Sequence, residues 1–172
     1  MPLVQPVSKE DHIQGSPSAT IELLEYGDYQ CPHCGYAFPI VKEIQRQLGD
    51  KLRFIFRNFP LRKIHPQAMS AAIAGEAAAL QGKFWEMHEM LIENQRRLNH
   101  DSIIEYAESI GLDIDQFTKD IKSHVLEDKV MSDFQGGLRS GVNATPTFFV
   151  NGEKYDGDWA SQGFLVYLQN EP

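Results

Sequence analysis

The two cysteines of this 172-residue chain lie three positions apart in the stretch YGDYQCPHCGYAF, and the rest of the chain contains none. They follow the apolar, partly alternating run TIELLEY, a pattern typical of a buried strand. After them, GYAFPIVKEIQRQLGD repeats apolar residues at helical spacing and ends near Gly49. The cysteine pair is therefore predicted to lie at a strand-to-helix turn, which restricts both the fold and the chemistry.

A second strand is predicted for KLRFIFRNF, Lys51 to Phe59, because apolar and polar residues alternate there. A strand, a helix and a second strand form a crossover in which the strands run parallel, right-handed by default. Pro39 lies inside the helical pattern and is expected to kink the helix.

Helical patterns dominate the next eighty residues or so. The first, HPQAMSAAIAGEAAALQ, is rich in alanine and has Pro66 in its first turn. IIEYAESI is expected to be capped by Asp101 or Ser102 and to end at Gly111. The other predicted helices are FWEMHEMLIENQ, DIDQFTKDI and VLEDKVMSDFQGGLRSG. Beyond them, TPTFFVNG and EKYDGD are predicted to form a hairpin, and WASQGFLVYLQN a last helix.

The element order is β-α-β, a helical segment, then β-β-α. We therefore predict an α/β protein with a thioredoxin fold and an inserted all-α helical subdomain. Residues 1–63 would form the N-terminal part of the thioredoxin fold, 64–140 the helical insertion and 141–172 the C-terminal part.

Two cysteines in the first turn of a helix lie beside unpaired backbone N–H groups and the positive end of the helix dipole. The pKa of a thiol falls there below its free value of about 8.5, and the thiolate is the reactive form. Cys31, at the more exposed edge, is our candidate nucleophile, and Cys34 would resolve a mixed disulfide. Pro32 and His33 lie between them, and we expect the imidazole to stabilise the Cys31 thiolate.

Two other readings of the cysteine pair stay open. A zinc site needs four ligands, and without a second cysteine pair it would have to recruit histidines such as His12, His33 and His65. A purely structural disulfide would close a short loop and stabilise the fold only weakly. The strand–helix–strand context favours a redox pair over both.

Three further residues are candidates for the site. Thr145-Pro146 precedes a predicted strand, where proline is tolerated because it cannot donate to a sheet. A cis peptide bond there would free the Thr145 backbone to pair with an extended substrate segment. Glu25, six residues before Cys31, would accept a proton from Cys34 if burial raised its pKa. Asp28 is expected to be a turn residue with a structural role.

Several motifs in one order resemble the DsbA-like thiol–disulfide oxidoreductases: LLEYGDYQCPHC, FRNFPL with HP after it, GKFWEMHEML, and GVNATPTFFVNG. The resemblance runs from about Leu3 to Leu168. It implies that Cys31 attacks, that Cys34 resolves and that Thr145-Pro146 forms a cis-proline loop. It also implies disulfide exchange with protein or peptide thiols, with a redox partner protein or glutathione as a possible second substrate. No organic cofactor or metal is expected.

Composition limits the partners. The net charge of −8 argues against sequence-independent binding of nucleic acid, and no apolar run is long enough to predict a membrane span. The N-terminal residues read as no export signal, which favours the cytoplasm; the alternative is an exported protein whose leader has been removed. The alternative functions are a non-catalytic partner-binding module braced by a disulfide, and an isomerase or glutathione-linked enzyme of the same fold.

Overall fold

A computed structural model describes all of residues 1–172. It contains five strands and seven helices, with a short 3-10 turn at Gly49–Lys51 between α1 and β3. The strands are β1 His12–Gly15, β2 Ile21–Gly27, β3 Leu52–Asn58, β4 Thr147–Val150 and β5 Glu153–Lys154. The helices are α1 Pro32–Leu48, α2 Ala68–Leu80, α3 Phe84–Glu93, α4 His100–Ser109, α5 Ile114–Ile121, α6 His124–Arg139 and α7 Gly163–Gln169.

The strands form one sheet in the order β1-β3-β2-β4-β5. β2 and β3 are parallel, as the crossover through α1 predicts, and the other neighbours are antiparallel. Five consecutive helices, α2 to α6, separate β3 from β4. The predicted fold class, a thioredoxin fold with a helical insertion, is confirmed.

Side chains of β2 alternate between the two faces of the sheet. Leu23 belongs to the larger apolar cluster, which includes Val41 of α1 and Met87 of α3. Leu24 and Tyr26 belong to a smaller cluster on the opposite face. Glu25 therefore faces α1 and α3, which places a carboxyl group inside the larger core.

A cluster of polar and charged side chains ties the helical insertion to the sheet. Glu76 of α2 accepts hydrogen bonds from His12 of β1 at 2.9 Å and from Asn58 of β3 at 3.0 Å. Asp133 of α6 accepts from the same Asn58 side chain at 3.1 Å. Lys129 lies 2.9 Å from Asp133 and 3.4 Å from Glu76, so one cation neutralises part of the charge of two carboxylates.

The structure corrects several details of the prediction. β1 was missed, because His12–Gly15 is a short, polar edge strand without an alternating apolar pattern. The cap of α4 is Asn99, whose side chain accepts from the Ser102 backbone at 2.9 Å, and not Asp101 or Ser102. α2 begins at Ala68, so Pro66 precedes the helix. Pro39 lies inside α1, as predicted, and the kink expected there stays a prediction.

None of the helices has the length and apolar character needed to cross a membrane.

Candidate active site

The two cysteines lie where β2 passes into α1. Cys31 is the N-cap residue of α1 and has an extended backbone, and Pro32 occupies the first helical position. Cys34 follows one turn into the helix, and both cysteines are free thiols. Cys31 is 4% exposed and Cys34 is 1% exposed. Cys31 is therefore the more accessible of the two thiols, as predicted, although both are buried.

The surroundings separate the acidities of the two thiols. Hydrogen bonding from the Cys34 side chain is the largest influence that lowers the pKa of Cys31, to about 5, against the opposing effect of burial. The backbone N–H groups of Cys34 and His33 lower it further. Burial raises the pKa of Cys34 well above its ordinary value, and its hydrogen bond to Cys31 adds to that. The arrangement favours a thiolate at Cys31 and a thiol at Cys34.

The stabilisation of the Cys31 thiolate by the His33 imidazole stays a prediction. The His33 side chain is exposed, and Pro32 beside it is exposed too. The backbone N–H group of His33 lowers the pKa of Cys31. A residue at this position in the first helical turn turns its N–H toward the N-cap side chain, whatever its own side chain does.

Glu25 is the carboxyl group that the sequence predicts beside the cysteines. It is 5% exposed. Burial raises its pKa to about 8, and the negative charge of Cys31 contributes a further increase. The predicted direction of the pKa change is confirmed, with burial more complete than expected. At neutral pH this carboxyl group holds its proton for most of the time.

The loop before β4 faces the nucleophile. The peptide bond between Thr145 and Pro146 is cis, as predicted. The Thr145 carbonyl oxygen accepts a hydrogen bond from the Cys31 Sγ at 3.5 Å. The Thr145 hydroxyl is buried without a hydrogen-bond partner. Pairing of the Thr145 backbone with a substrate strand stays a prediction.

Asp28 has the structural role that was predicted. Its Oδ1 accepts from the backbone N–H of Gln30 at 2.8 Å, which closes a local turn. Its Oδ2 accepts from the Leu61 backbone at 2.9 Å and lies 2.8 Å from His65 Nδ1. The Asp28 backbone N–H lies 3.4 Å from the Cys34 Sγ. Asp28 thus joins the turn before α1 to the segment that follows β3.

Gln95, in the connection between α3 and α4, is a site residue that the sequence analysis missed. Its side-chain Nε2 donates to the carbonyl oxygens of Tyr29 at 2.9 Å and Cys31 at 2.7 Å. A Cβ atom on Gly35 would lie 2.1 Å from the Gln95 Oε1, so the absence of a side chain at position 35 makes room for this amide. No local sequence pattern predicts that a glutamine about sixty residues away donates hydrogen bonds to the turn that holds the cysteines.

Two depressions flank α1. One, of about 430 Å³, lies between α1 and the start of α7 and is lined by apolar residues including Ile40, Ile44 and Phe164. The other, of about 1470 Å³, is lined mostly by polar and charged residues and lies between α1 and the chain around Gln95. Trp159 lies close to Tyr36 and Phe148, with ring centroids 6.0 and 6.1 Å away. No group of three or more His, Cys, Asp or Glu side chains is arranged to hold a metal ion.

The family described as Thioredoxin matches residues 7–170. Among solved structures, the oxidised form of BdbD from Bacillus subtilis superposes with a TM-score of 0.86 at 23% identity, covering 97% of this chain and 95% of that one. α-DsbA1 from Wolbachia pipientis superposes with a TM-score of 0.79, also at 23% identity, over 98% and 94% of the two chains. At these identities the structures establish a shared fold.

The fold, the cysteine pair at the helix N-terminus and the cis-proline loop define the class: a thioredoxin-type protein with a redox C-x-x-C site. With the family match over residues 7–170, the chain belongs to the thioredoxin family, and its fold is the one that BdbD and α-DsbA1 share.

Curated relatives add a different context. A protein of Mycobacterium sp. (strain KMS) named Na(+)/H(+) antiporter NhaA 1 is 43% identical over 170 residues. One from Herminiimonas arsenicoxydans, named Na(+)/H(+) antiporter NhaA, is 36% identical over 170 residues. This chain spans only 28% and 27% of the lengths of these relatives.

Proposed function

We propose that the chain exchanges disulfides with protein or peptide substrates through Cys31 as nucleophile and Cys34 as resolving residue. The observation that carries the proposal is that the pKa values of the two thiols are shifted in opposite directions. The Cys31 pKa is lowered to about 5, whereas that of Cys34 is raised. An attacking group must be a thiolate at working pH, and a resolving thiol must stay protonated until its step.

In the oxidising direction, a substrate thiolate attacks the Cys31 sulfur of the Cys31–Cys34 disulfide. The S–S bond between the cysteines breaks, and its electron pair goes to Cys34, which takes up a proton. A second substrate thiolate then attacks the mixed disulfide, forms the substrate disulfide and releases Cys31 as a thiolate. The reducing direction is the reverse: Cys31 attacks a substrate disulfide, and Cys34, losing its proton, releases the reduced product.

Glu25 is proposed as the proton donor and acceptor for Cys34. It lies in the same core, and its raised pKa of about 8 lets it hold a proton at neutral pH and still release it. Thr145 and Pro146 are proposed to bind the substrate backbone beside Cys31, because the Thr145 carbonyl oxygen already faces its sulfur. A stabilised thiolate favours the reduced form, so oxidation of substrates is the expected direction.

Trapping of the mixed disulfide tests the assignment. Cys34→Ser should accumulate a mixed disulfide through Cys31 when incubated with an oxidised cysteine-containing peptide, because the resolving thiol is gone. Cys31→Ser is the matched control and should trap nothing. Mass spectrometry identifies the bond. Trapping through Cys34 in the control, with none through Cys31, would reverse the two roles.

A second candidate is a partner-binding module in which the cysteine pair only braces the surface. The antiporter names of the curated relatives favour it, because a segment that matches about a quarter of a longer protein can serve that protein by binding. Insulin reduction by the wild type and by Cys31→Ser separates the candidates. An enzyme loses turnover in the variant, whereas a binding module has none to lose and keeps its partner.

We further propose that the chain works in the cytoplasm. Both cysteines lie at the site and none is used as a structural staple, which suits a reducing compartment. The expected oxidising chemistry opposes this placement. Alkylation of thiols in intact cells tests it: a cytoplasmic chain should be found with both thiols reduced, and a chain found mainly as the disulfide would indicate export.

A further inference from the structure

One side chain of the helical insertion reaches the backbone of the turn that holds the cysteines. Gln95, in the connection between α3 and α4, donates from Nε2 to the Tyr29 carbonyl oxygen at 2.9 Å and to the Cys31 carbonyl oxygen at 2.7 Å. An amide group has two N–H hydrogens, so these two bonds use its whole donor capacity. Both acceptors belong to the chain immediately around the nucleophile.

The connection that carries Gln95 is held on both sides. Before it, the Asn94 side chain donates to the Met90 carbonyl oxygen of α3 at 2.7 Å. After it, the buried Tyr106 of α4 donates from its hydroxyl to the Arg97 carbonyl oxygen at 2.6 Å. The position of the Gln95 amide is therefore determined by the packing of the insertion and not by a freely moving loop.

Gly35, in the first turn of α1, leaves the space that the amide fills. A Cβ atom on Gly35 would lie 2.1 Å from the Gln95 Oε1 and 2.8 Å from its Cδ, far inside the usual contact distance. Gly35 is not one of the glycines with a positive φ, and glycine is a poorer helix former than alanine. The backbone thus gives no reason for a glycine here, whereas the fit of the Gln95 amide does.

The carbonyl group of Cys31 is fixed by two donors. The Gly35 N–H donates to its oxygen at 3.2 Å as the first hydrogen bond of α1, and Gln95 supplies the second bond. The following residue is Pro32, so this peptide group has no N–H that could hold it. The two bonds to the oxygen therefore set the orientation of the peptide group, and with it the Cys31 ψ angle of 121°.

The backbone angles of an N-cap residue decide whether its side chain reaches the free N–H groups of the first helical turn. For Cys31 these groups belong to His33 and Cys34, the second and third residues of α1. After the hydrogen bond from the Cys34 side chain, which has the largest effect, they help to lower the pKa of Cys31 against the opposing effect of burial. Gln95 bonds to the Cys31 carbonyl oxygen and not to its sulfur, so any effect on the thiolate passes through the backbone.

We propose that Gln95 is a positioning residue of the redox site, which holds the Tyr29 and Cys31 carbonyl oxygens so that the Cys31 sulfur stays against the N–H groups at the start of α1. The inference rests on the proposed function, in which Cys31 is the nucleophile, and extends it. The amide comes from the helical insertion and the cysteine from the thioredoxin part. The insertion therefore takes part in preparing the nucleophile.

Two other titratable groups face Cys31. Cys34 lies on α1 and Glu25 on β2; burial is the largest influence on the pKa of each, and the charge of Cys31 raises both further. The loop before β4 presents the Thr145 carbonyl oxygen, which does not titrate. A substitution in the α3–α4 connection replaces none of these groups. A changed titration of Cys31 in such a variant therefore reports the position of its sulfur.

The test is a pH titration of the reduced chain, in which the thiolate absorbance gives the midpoint for Cys31. Gln95→Ala removes both donors. The midpoint should rise by about one pKa unit, the lower end of what a hydrogen bond to a charged group contributes. The measurement needs no substrate. An unchanged midpoint in a folded Gln95→Ala variant would overturn the positioning role.

Gly35→Ala disturbs the same contact from the other side and keeps Gln95. Its Cβ should displace the tip of the amide, and the midpoint should rise by a similar amount. Because alanine favours a helix over glycine, this rise cannot come from a weakened α1. If Gln95→Ala does not fold, Gly35→Ala decides alone, and an unchanged midpoint in it overturns the proposal.

The double variant shows whether the two residues act as one contact. In a Gln95→Ala background the amide is gone, so Gly35→Ala should add no further shift. Additive shifts would mean that position 35 acts on Cys31 without Gln95, and they would overturn the proposal.

Gln116→Ala is the matched control. The Gln116 amide donates to Asp120 on the exposed surface of α5, and its loss should leave the Cys31 midpoint unchanged. A rise as large as that in Gln95→Ala would contradict a specific role of Gln95.

The titration also separates this inference from the proposed function. A wild type whose Cys31 titrates near its pKa of about 5, with the expected shifts in the variants but no mixed disulfide trapped by Cys34→Ser, would refute disulfide exchange and support the placement of the sulfur by Gln95. Trapping in Cys34→Ser, with one midpoint shared by wild type, Gln95→Ala and Gly35→Ala, would support exchange and overturn the positioning role.

Discussion

Cys31 should titrate far below an ordinary thiol. Its pKa is lowered to about 5 by hydrogen bonding from Cys34, with smaller contributions from backbone N–H groups. Thiolate absorbance of the reduced chain near 240 nm should therefore persist at pH 6, and iodoacetamide should alkylate Cys31 rapidly at that pH. Cys31→Ser supplies the baseline. A midpoint near the ordinary value of about 8.5 would contradict the assignment.

Glu25 should make the fold less stable as pH rises. A carboxyl pKa raised from 4.5 to about 8 means that the folded chain keeps a proton that the unfolded chain releases. Stability is then full below about pH 4.5, and falls by about 1.4 kcal/mol per pH unit until pH 8. Relative to wild type, Glu25→Gln should gain about 2–3 kcal/mol between pH 5 and pH 7. Urea unfolding of the reduced proteins measures this gain.

The comparison must be made in the reduced state at both pH values. Cys31 has the opposite effect, because a lowered thiol pKa adds stability as pH rises above about 5. The two residues offset one another in the wild type, and the variant exposes the contribution of Cys31. An advantage for Glu25→Gln that is equal at pH 5 and pH 7 would contradict the burial of an unpaired carboxyl group.

At the scale of single residues, the sequence predicted what depends on local position and missed what depends on contacts across the fold. Cys31 and Cys34 follow from their place at a helix N-terminus, and the raised pKa of Glu25 follows from its place on a buried strand. The role of Gln95 does not, because its partners lie sixty residues away along the chain. The role of the His33 imidazole stays a prediction, since no local pattern determines where that side chain points.

At the scale of elements, the polar cluster around Glu76 should contribute strongly to the stability of the contact between the helical insertion and the sheet. Lys129 pairs with Glu76 and Asp133, and its removal leaves two largely buried carboxylates facing each other. Lys129→Met should therefore lower the free energy of unfolding by about 3 kcal/mol at pH 7. Thermal or urea unfolding measures the loss.

Lys119→Met, on the exposed surface of α5, is the matched control and should change stability by less than about 0.5 kcal/mol. Equal effects of the two substitutions would mean that the cluster contributes nothing beyond a surface charge.

The element types could be predicted because apolar residues recur with a clear period along most of the strands and helices. β2 and β3 alternate or are continuously apolar, and α2 to α6 have helical spacing. The sequence does not predict β1, because pairing with β3, and not a pattern of its own, makes this segment a strand. The cap of α4 was placed two or three residues late, since Asp101 and Ser102 are also good capping types. Asn99 is selected by its contact with the Ser102 backbone.

At the scale of the whole molecule, the reduction potential reports how the entire fold favours the dithiol over the disulfide. The stabilised Cys31 thiolate should place it above about −180 mV. Above pH 5 reduction takes up one proton, because Cys31 stays a thiolate while Cys34 is protonated. The potential should then change by about 30 mV per pH unit, and not by about 60 mV.

Equilibration with glutathione from pH 6 to pH 8 measures both quantities. The slope is best determined in a Glu25→Gln background, where only the thiols titrate. A slope of about 60 mV per pH unit would mean that both thiols are protonated in the reduced chain, and it would remove the basis of the proposed function.

The Gln95 amide fills the space that a side chain at position 35 would occupy, and this has a consequence for sequence divergence. A side chain gained at position 35 would meet the tip of Gln95 and displace it from the Tyr29 and Cys31 carbonyls, while the backbone around it could remain in place. Positions 35 and 95 should therefore vary together in related sequences. Homologues with alanine or a larger residue at position 35 should carry a shorter side chain at position 95, and should hold the cysteine turn by another donor.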